Sequence, residues 1–175
     1  MNTTRSRSKR ISYIALLTTL ALVFSYIEAI LPFSIGIPGV KLGIANIVVL
    51  ISLYTLDAKA ALTINLIRIF LAGFLFSGVF GIIYSLAGGL LSFAVMLVLK
   101  KTDIFSVIGL SVAGGVMHNL GQLVTAAAIV ENFAMFIYFP VLLFSGIVCG
   151  IIVGAACALV LAHLPSGILA SHPNS

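Results

Sequence analysis

Charge is what this sequence has least of. Only 7% of its 175 residues are charged and 62% are hydrophobic, whereas a soluble domain carries roughly 25% charged residues. A chain so short of charge cannot cover a water-exposed surface. With a mean hydropathy of +1.30, it reads as an integral membrane protein. Acidic residues are scarcer still. The aspartates are Asp57 and Asp103, so there is no Asp-rich pair of the kind that holds Mg²⁺-diphosphate. A Walker A loop and a nucleophile elbow are also missing, which argues against self-powered ATP hydrolysis and against Ser-His hydrolysis. Tryptophan is absent, and there are two cysteines. Cys149 and Cys157 would stand about 12 Å apart along a continuous helix, out of disulfide reach. No His, Cys and carboxylate cluster has metal-ligand spacing. The chain is therefore not expected to be an autonomous enzyme, and neither a metal nor a cofactor is indicated.

The net charge of +5 does not point to nucleic acid, because of where the charge sits. Arg5, Arg7, Lys9 and Arg10 crowd the N-terminus, and most other basic residues fall in short breaks between apolar runs. That is a topology signal. The basic start is followed by about 20 apolar residues, too many for a cleaved signal peptide, so the segment reads as a retained first span. Spans are predicted at about 11–30, 40–56, 60–73, 78–99, 104–130 and 136–163. The third is short for a membrane crossing and is expected to be tilted, or broken and continued into Phe74–Phe76. This gives an all-α, polytopic bundle of six transmembrane helices. It comprises a basic cytoplasmic tail (1–10), a membrane domain (11–164) and a cytoplasmic C-terminal tail (165–175). With both termini inside, Arg5, Arg7, Lys9, Arg10, Lys59, Lys100 and Lys101 all become cytoplasmic, as the positive-inside rule requires. The expected location is a cell membrane, of the bacterial plasma-membrane kind.

Rows of small residues predict where helices touch, since close backbone approach drives helix association in lipid. The last span carries Gly146, Gly150, Gly154 and Ala158, and the fourth carries Gly81, Ser85 and Gly89. The first carries Ala21, Ser25 and Ala29. The link between the first two spans, residues 31–41, holds Pro32, Gly36, Pro38 and Gly39 among apolar residues. It reads either as a cap over an outward-facing cavity or as an ordinary hydrophobic loop. Aromatic residues gather near the outer boundary, at Phe24, Tyr26 and Phe33 and again at Phe133, Phe136, Tyr138 and Phe139, the pattern of an interfacial belt or, for some of them, of a pocket mouth.

Against this background the polar residues inside the spans stand out. Asn46 falls about 15 Å from the cytoplasmic end of its span, Arg68 roughly 13 Å from Lys59, and His118 about 20 Å from Ile104. Lys41 is placed near the outer boundary. Asn65 and Arg68 share one helix face; His118 and Gln122 share another, with Asn119 alongside. An arginine at such depth costs about 2.5–3.5 kcal/mol on insertion scales, so Arg68 should face the bundle interior. Among the acidic residues Glu28 alone is within plausible reach of it, which leaves the guanidinium short of counter-charge. Lys41, Asn46, Asn65, Arg68, His118, Asn119 and Gln122 are thus the candidate ligand-binding set. Taken singly, Asn46, Asn65, Asn119 and Gln122 are more often interhelical glue than binding groups, and His118 fits a structural interhelical hydrogen bond as well as ligand contact.

Four segments, taken in order, carry a family resemblance. They are Pro38-Gly39-Val40-Lys41-Leu42-Gly43-Ile44-Ala45-Asn46-Ile47, Arg68-Ile69-Phe70-Leu71-Ala72-Gly73, Ser85-Leu86-Ala87-Gly88-Gly89-Leu90-Leu91-Ser92 and His118-Asn119-Leu120-Gly121-Gln122. Together they resemble the Gx transporter family, whose members are often labelled heptaprenyl diphosphate synthase component I. The resemblance implies kinship with the membrane-embedded S components of energy-coupling factor transporters. Those are six-helix proteins that bind a small molecule near the outer side and dock on a transmembrane coupling subunit with two ATPases. Docking there uses an Ala-xxx-Ala row on the first helix. The matching positions here are Ala15 and Thr19, a degenerate version. The implied partners are a small, anionic or carbonyl-rich ligand, membrane lipids, and the coupling subunit with its ATPases. The synthase label implies a prenyltransferase partner in isoprenoid or quinone synthesis instead. A further likeness, to membrane components of electron-export systems, implies a flavoprotein.

Overall fold

The computed structural model describes residues 2–30 and 43–165; Lys41, Phe33 and the Pro- and Gly-rich link fall outside the described residues. Every element is helical among the described residues. In order they are α1 (Asn2–Ile30), α2 (Asn46–Thr55), α3 (Ala58–Ala72), a π-helical turn (Gly73–Ser77), α4 (Gly78–Lys101), α5 (Val107–Val130), a 3₁₀ turn (Phe133–Tyr138) and α6 (Phe139–His163). Four helical stretches are long and apolar enough to cross a membrane: Arg7–Ile30, Ala58–Lys101, Val107–Val130 and Phe133–His163. Large apolar side chains such as Leu16, Phe74, Phe144 and Ile152 are more than 60% exposed. Surface of that kind is satisfied by lipid, and the protein is a multi-pass membrane protein.

The stretch Ala58–Lys101 is not one rod. Asn65 Nδ2 donates to the Gly89 carbonyl at 3.3 Å, and a Cβ on Gly73 would lie 2.0 Å from Ile82 Cγ1. The chain therefore doubles back at Ser77–Gly78, where Gly78 has φ +69°. At that angle a side chain is strained and glycine is not. The expected continuation of the short third span past residue 73 is observed, as π-helix. α2 differs more from expectation. A span of about 40–56 was predicted, but the helix occupies ten residues, about 15 Å of rise. The reason is the turn before it: Gly43 has φ +69°, and Asn46 N–H donates to the Gly43 carbonyl at 2.9 Å. α2 is thus a half-length helix wrapped on nearly all sides, with Val48, Val49, Leu50, Ile51, Ser52, Leu53 and Thr55 buried.

One end of the bundle is basic and densely packed. Leu50, Leu53, Ala61, Phe93, Met96, Leu110 and Cys157 form a continuous cluster there, and Leu17, Ala21, Val48 and Ile64 form a second. Hydroxyls within it do not seek water. Ser52 donates to the Val48 carbonyl at 2.6 Å and Thr55 to that of Ile51 at 2.9 Å, which closes each donor on its own helix. Arg10 pairs with Asp57, and Lys100 donates to the Leu53 carbonyl while lying 4.5 Å over the Tyr54 ring. Asp57 also caps α3, accepting from Ala60 N–H at 2.7 Å. That backbone bond, assisted by Arg10, holds its carboxyl below the usual carboxylate range against a smaller opposing effect of burial.

The glycine row of α6 works inside the bundle. Cβ atoms on Gly146, Gly150 and Gly154 would come within 3.0, 2.6 and 2.8 Å of Val116, Val112 and Ile108 of α5, so the two helices touch backbone to backbone over about two turns. On α4 the pattern differs from expectation. Gly89 does meet α3, but the contact with α5 is made by its neighbour Gly88, whose Cβ would lie 2.7 Å from the His118 carbonyl. Gly81 and Ser85 line a cavity instead. On α1, Ala21 is fully buried and Ser25 donates to its carbonyl at 2.9 Å.

Candidate functional site

The end of the bundle away from Asp57 and Lys100 is hollow. A cavity of about 870 Å³ lies between α1, the start of α2, the α3–α4 reversal, α5 and the 3₁₀ turn. That volume is within the range of small-molecule sites. Its polar wall draws on separate helices: Asn46 from α2, Arg68 from α3, and His118, Asn119 and Gln122 from α5. Asn65 stands just behind, as the residue that holds Arg68. Five of the seven residues singled out from sequence thus share one cavity, a sixth supports it, and Lys41 lies outside the described residues.

The convergence has a local cause in the glycine doublet of α4. Gly88 lets α5 approach on one side, with Gln122 Cγ 3.0 Å from where a Cβ would sit. Gly89 lets α3 approach on the other, with Asn65 Nδ2 at 3.3 Å. Gly121 closes the same crossing from α5, 2.9 Å from the Ala87 carbonyl by the same measure. Two adjacent residues without side chains therefore bring the Asn65–Arg68 face and the His118–Gln122 face to one level.

Arg68 is 7% exposed. Its Nη2 donates to Asn65 Oδ1 at 2.6 Å and its Nη1 makes a long bond, 3.5 Å, to Ser25 Oγ. Asn65 passes the interaction on to Gly89, so the guanidinium is anchored to α1, α3 and α4. Its Nε has no hydrogen-bond partner among the described residues, and the same holds for Gln122 Oε1 and Ser92 Oγ. The expectation that Arg68 is short of counter-charge needs correction. Glu28 lies on the same cavity wall and attracts Arg68 through space, while its carboxylate accepts from Gly43 N–H. Asn119 serves two roles, lining the cavity and donating to the Leu142 carbonyl of α6 at 2.8 Å.

The lining also holds apolar and aromatic side chains, Phe76, Tyr84, Leu123, Met135, Ile137 and Tyr138. Phe76 meets Tyr26 edge to face at 5.6 Å. Of the boundary aromatics, Tyr138 lines the cavity, as the pocket-mouth alternative expects, whereas Phe133 is 80% exposed and faces outward. Sequence reasoning did not single out Ser25, Tyr84 or Ser85 as lining. Ser85 had been read as packing because of its place in a small-residue row. Below the main cavity runs a narrow crevice of about 20 Å³ between α2, α4, α5 and α6, bordered by Ser92, Ser111, His118 and Asn119; that is room for one water. Ala15 and Thr19 are elsewhere, on the exposed outer face of α1, where Thr19 Oγ1 donates to the Ala15 carbonyl at 2.9 Å. Among the described residues no group of three His, Cys, Asp or Glu side chains is placed to hold a metal ion.

Comparison with known proteins agrees with the segments that carry the family likeness. No curated protein and no solved structure matches the chain. Residues 17–160 match the family model described as heptaprenyl diphosphate synthase component I. This stretch runs from the middle of α1 almost to the end of α6 and includes every wall of the cavity, so the chain belongs to the heptaprenyl diphosphate synthase component I family.

Proposed function

We propose that this protein is the membrane-embedded binding subunit of a multi-subunit system. It takes a small organic, anionic or carbonyl-rich molecule into the cavity at the hollow end of the bundle. The observation that carries this reading is the meeting of Asn46, Arg68, His118, Asn119 and Gln122, from three helices, on one cavity of about 870 Å³. Interhelical glue alone does not need a void of that size, and in hydrocarbon a polar-walled void is stable only when something polar fills it.

In this reading the chain crosses a bacterial plasma membrane six times with both termini in the cytoplasm. α2 and the turn before it make up one crossing, and α3 and α4 make two. The grouping of Arg10, Lys59, Lys100 and Lys101 at the packed end supports that orientation, which turns the cavity outward. The role is binding rather than catalysis, and movement of the ligand is driven by partner ATPases. This last step rests on the likeness to S components, with Ala15 and Thr19 on the outer face of α1 as the docking row. Native mass spectrometry of the protein purified in mild detergent tests both halves of the proposal. We expect a retained small molecule that is lost in Arg68→Gln and kept in Lys101→Ala. Equal retention in the two variants, both folded, would remove the cavity from the mechanism.

A second reading is favoured by the family's name: an accessory membrane component of heptaprenyl diphosphate synthesis. The same experiment separates the two. A prenyltransferase subunit that stays bound through purification supports the synthase role, and a coupling subunit with ATPases supports uptake.

A further inference from the structure

Two charges of opposite sign share the cavity, and they come from neighbouring helices. Among its described lining residues, Arg68 of α3 is the fixed cation and Glu28 of α1 the acid. Their spacing follows from α1. Arg68 Nη1 reaches Ser25 Oγ at 3.5 Å. Glu28 stands three residues on from Ser25, the next position along that face of the helix, with about 5–6 Å between the two Cβ atoms. The Gly43 N–H holds the Glu28 carboxylate in place, and Gly43 lines the cavity too. The acid therefore lies about one helical turn from the guanidinium along α1. Both groups can bond further. Arg68 spends two of its five N–H groups, on Asn65 and Ser25. A carboxylate accepts at about four sites, so Glu28 can take another donor beside Gly43.

We propose that the cavity selects a zwitterion, a molecule with an ammonium group and a carboxylate close together on an apolar or aromatic body. The carboxylate accepts from Arg68, and the ammonium donates to Glu28. A charge-assisted hydrogen bond of about 2.8 Å at each end, joined by the short N–C–C bridge of an α-amino acid, covers a gap of one helical turn. The rest of the lining, which includes Phe76, Tyr84, Leu123, Met135 and Tyr138, suits the body. Charge balance gives the selectivity. The cation and the acid of the wall offset each other, and a zwitterion leaves each of them matched. A molecule that is only anionic meets Arg68 but brings its charge beside Glu28, where like charges repel. A phosphate ester, close to doubly charged near neutral pH, is repelled most. An amine without a carboxylate suffers the converse beside Arg68. The proposal rests on the binding reading above and narrows its ligand class.

Four probes with one phenyl body test this: phenylalanine, 3-phenylpropanoate, which lacks the amine, 2-phenylethylamine, which lacks the carboxylate, and phenyl phosphate. Each is titrated calorimetrically into the full-length protein in lipid nanodiscs, with empty nanodiscs as the blank. Phenylalanine should bind at least about tenfold more tightly than the other three, the low end for a hydrogen bond to a charged group. Glu28→Gln keeps an acceptor for the Gly43 N–H but not the charge. In that variant the preference for phenylalanine over 3-phenylpropanoate should fall to about one. There 3-phenylpropanoate should also bind more tightly than it does to the wild-type protein, a gain that a merely structural role of Glu28 would not produce. Arg68→Gln should weaken both carboxylates and spare 2-phenylethylamine. If any of the other three matches phenylalanine in the wild-type protein, the zwitterion is overturned and the binding reading stands. A preference for phenylalanine over 3-phenylpropanoate that persists in Glu28→Gln overturns it too. If no probe binds, the zwitterion is again overturned, and the native mass spectra decide the binding reading separately: a retained molecule lost in Arg68→Gln keeps it.

Discussion

The two ends of this bundle are built from the same helices but to opposite plans. At the basic end, leucine, isoleucine, phenylalanine and methionine fill the space around the half-length α2, and serine and threonine hydroxyls bond back to their own helices. At the other end, the start of α2 and the Gly43 turn before it border the cavity. Polar side chains there are tied across helices, as in Asn65 to the Gly89 carbonyl and Asn119 to that of Leu142. One membrane bundle is thus divided into a scaffold and a site. In lipid, where apolar side chains gain nothing by leaving water, the scaffold is held by packing contact and the site by hydrogen bonds.

The contrast is sharpest where volume is removed. Leu53→Ala, in the packed end at 2% exposure, should cost about 2–5 kcal/mol by leaving a void. Ile137→Ala, on the cavity wall and 78% exposed, should change stability by less than about 0.5 kcal/mol. Reversible unfolding in mixed micelles measures both, and equal costs would erase the distinction. Adding volume comes next. Gly150→Val forces a side chain onto Val112 Cα, 2.6 Å from its Cβ position, and should cost about 1–3 kcal/mol. Ala126→Leu fills cavity instead; it should leave unfolding unchanged while abolishing the retained small molecule in native mass spectra. Asn119→Leu removes the bond to the Leu142 carbonyl and should cost about 0.6 kcal/mol, the average for such bonds in membranes. The smallest effect is expected at Asp57. Its folded-state carboxyl is held low, so its contribution is present above the ordinary carboxylate pKa of about 3.9 and is lost as pH falls through the lowered value. Asp57→Asn keeps the cap but not the charge. The two proteins should differ by at most about 1 kcal/mol near neutral pH and converge in acid, as followed by unfolding midpoints across that range.

The membrane character, the helical content and the polar residues that meet in the cavity could be read from the sequence, because each depends on composition and on depth along a helix. Arg68 and His118 were legible for a simple reason: buried charge and imidazole need partners, and only an interior supplies them. The shortness of α2 was not legible, since residues 40–56 are mostly apolar and the left-handed turn at Gly43 that precedes the helix leaves no mark that a single glycine would reveal. Nor was the division of labour between Gly88 and Gly89, because adjacent glycines look alike until a second and a third helix are in place. Glu28 was underrated because sequence distance hides its return to the cavity through Gly43. The row read at Ala15 and Thr19 is real as spacing, but its exposed face acquires meaning only from a partner.

The loopless reversal at Ser77–Gly78, straight after the π-helical turn, also bears on how the chain is made. α3 carries a buried arginine and would enter a bilayer reluctantly alone, whereas α4 is apolar until its closing lysines. Because no polar connector separates them, the pair can leave the insertion machinery as one hairpin. The guanidinium can then enter the membrane bonded to Asn65 of its own helix, which in turn bonds to the Gly89 carbonyl of α4.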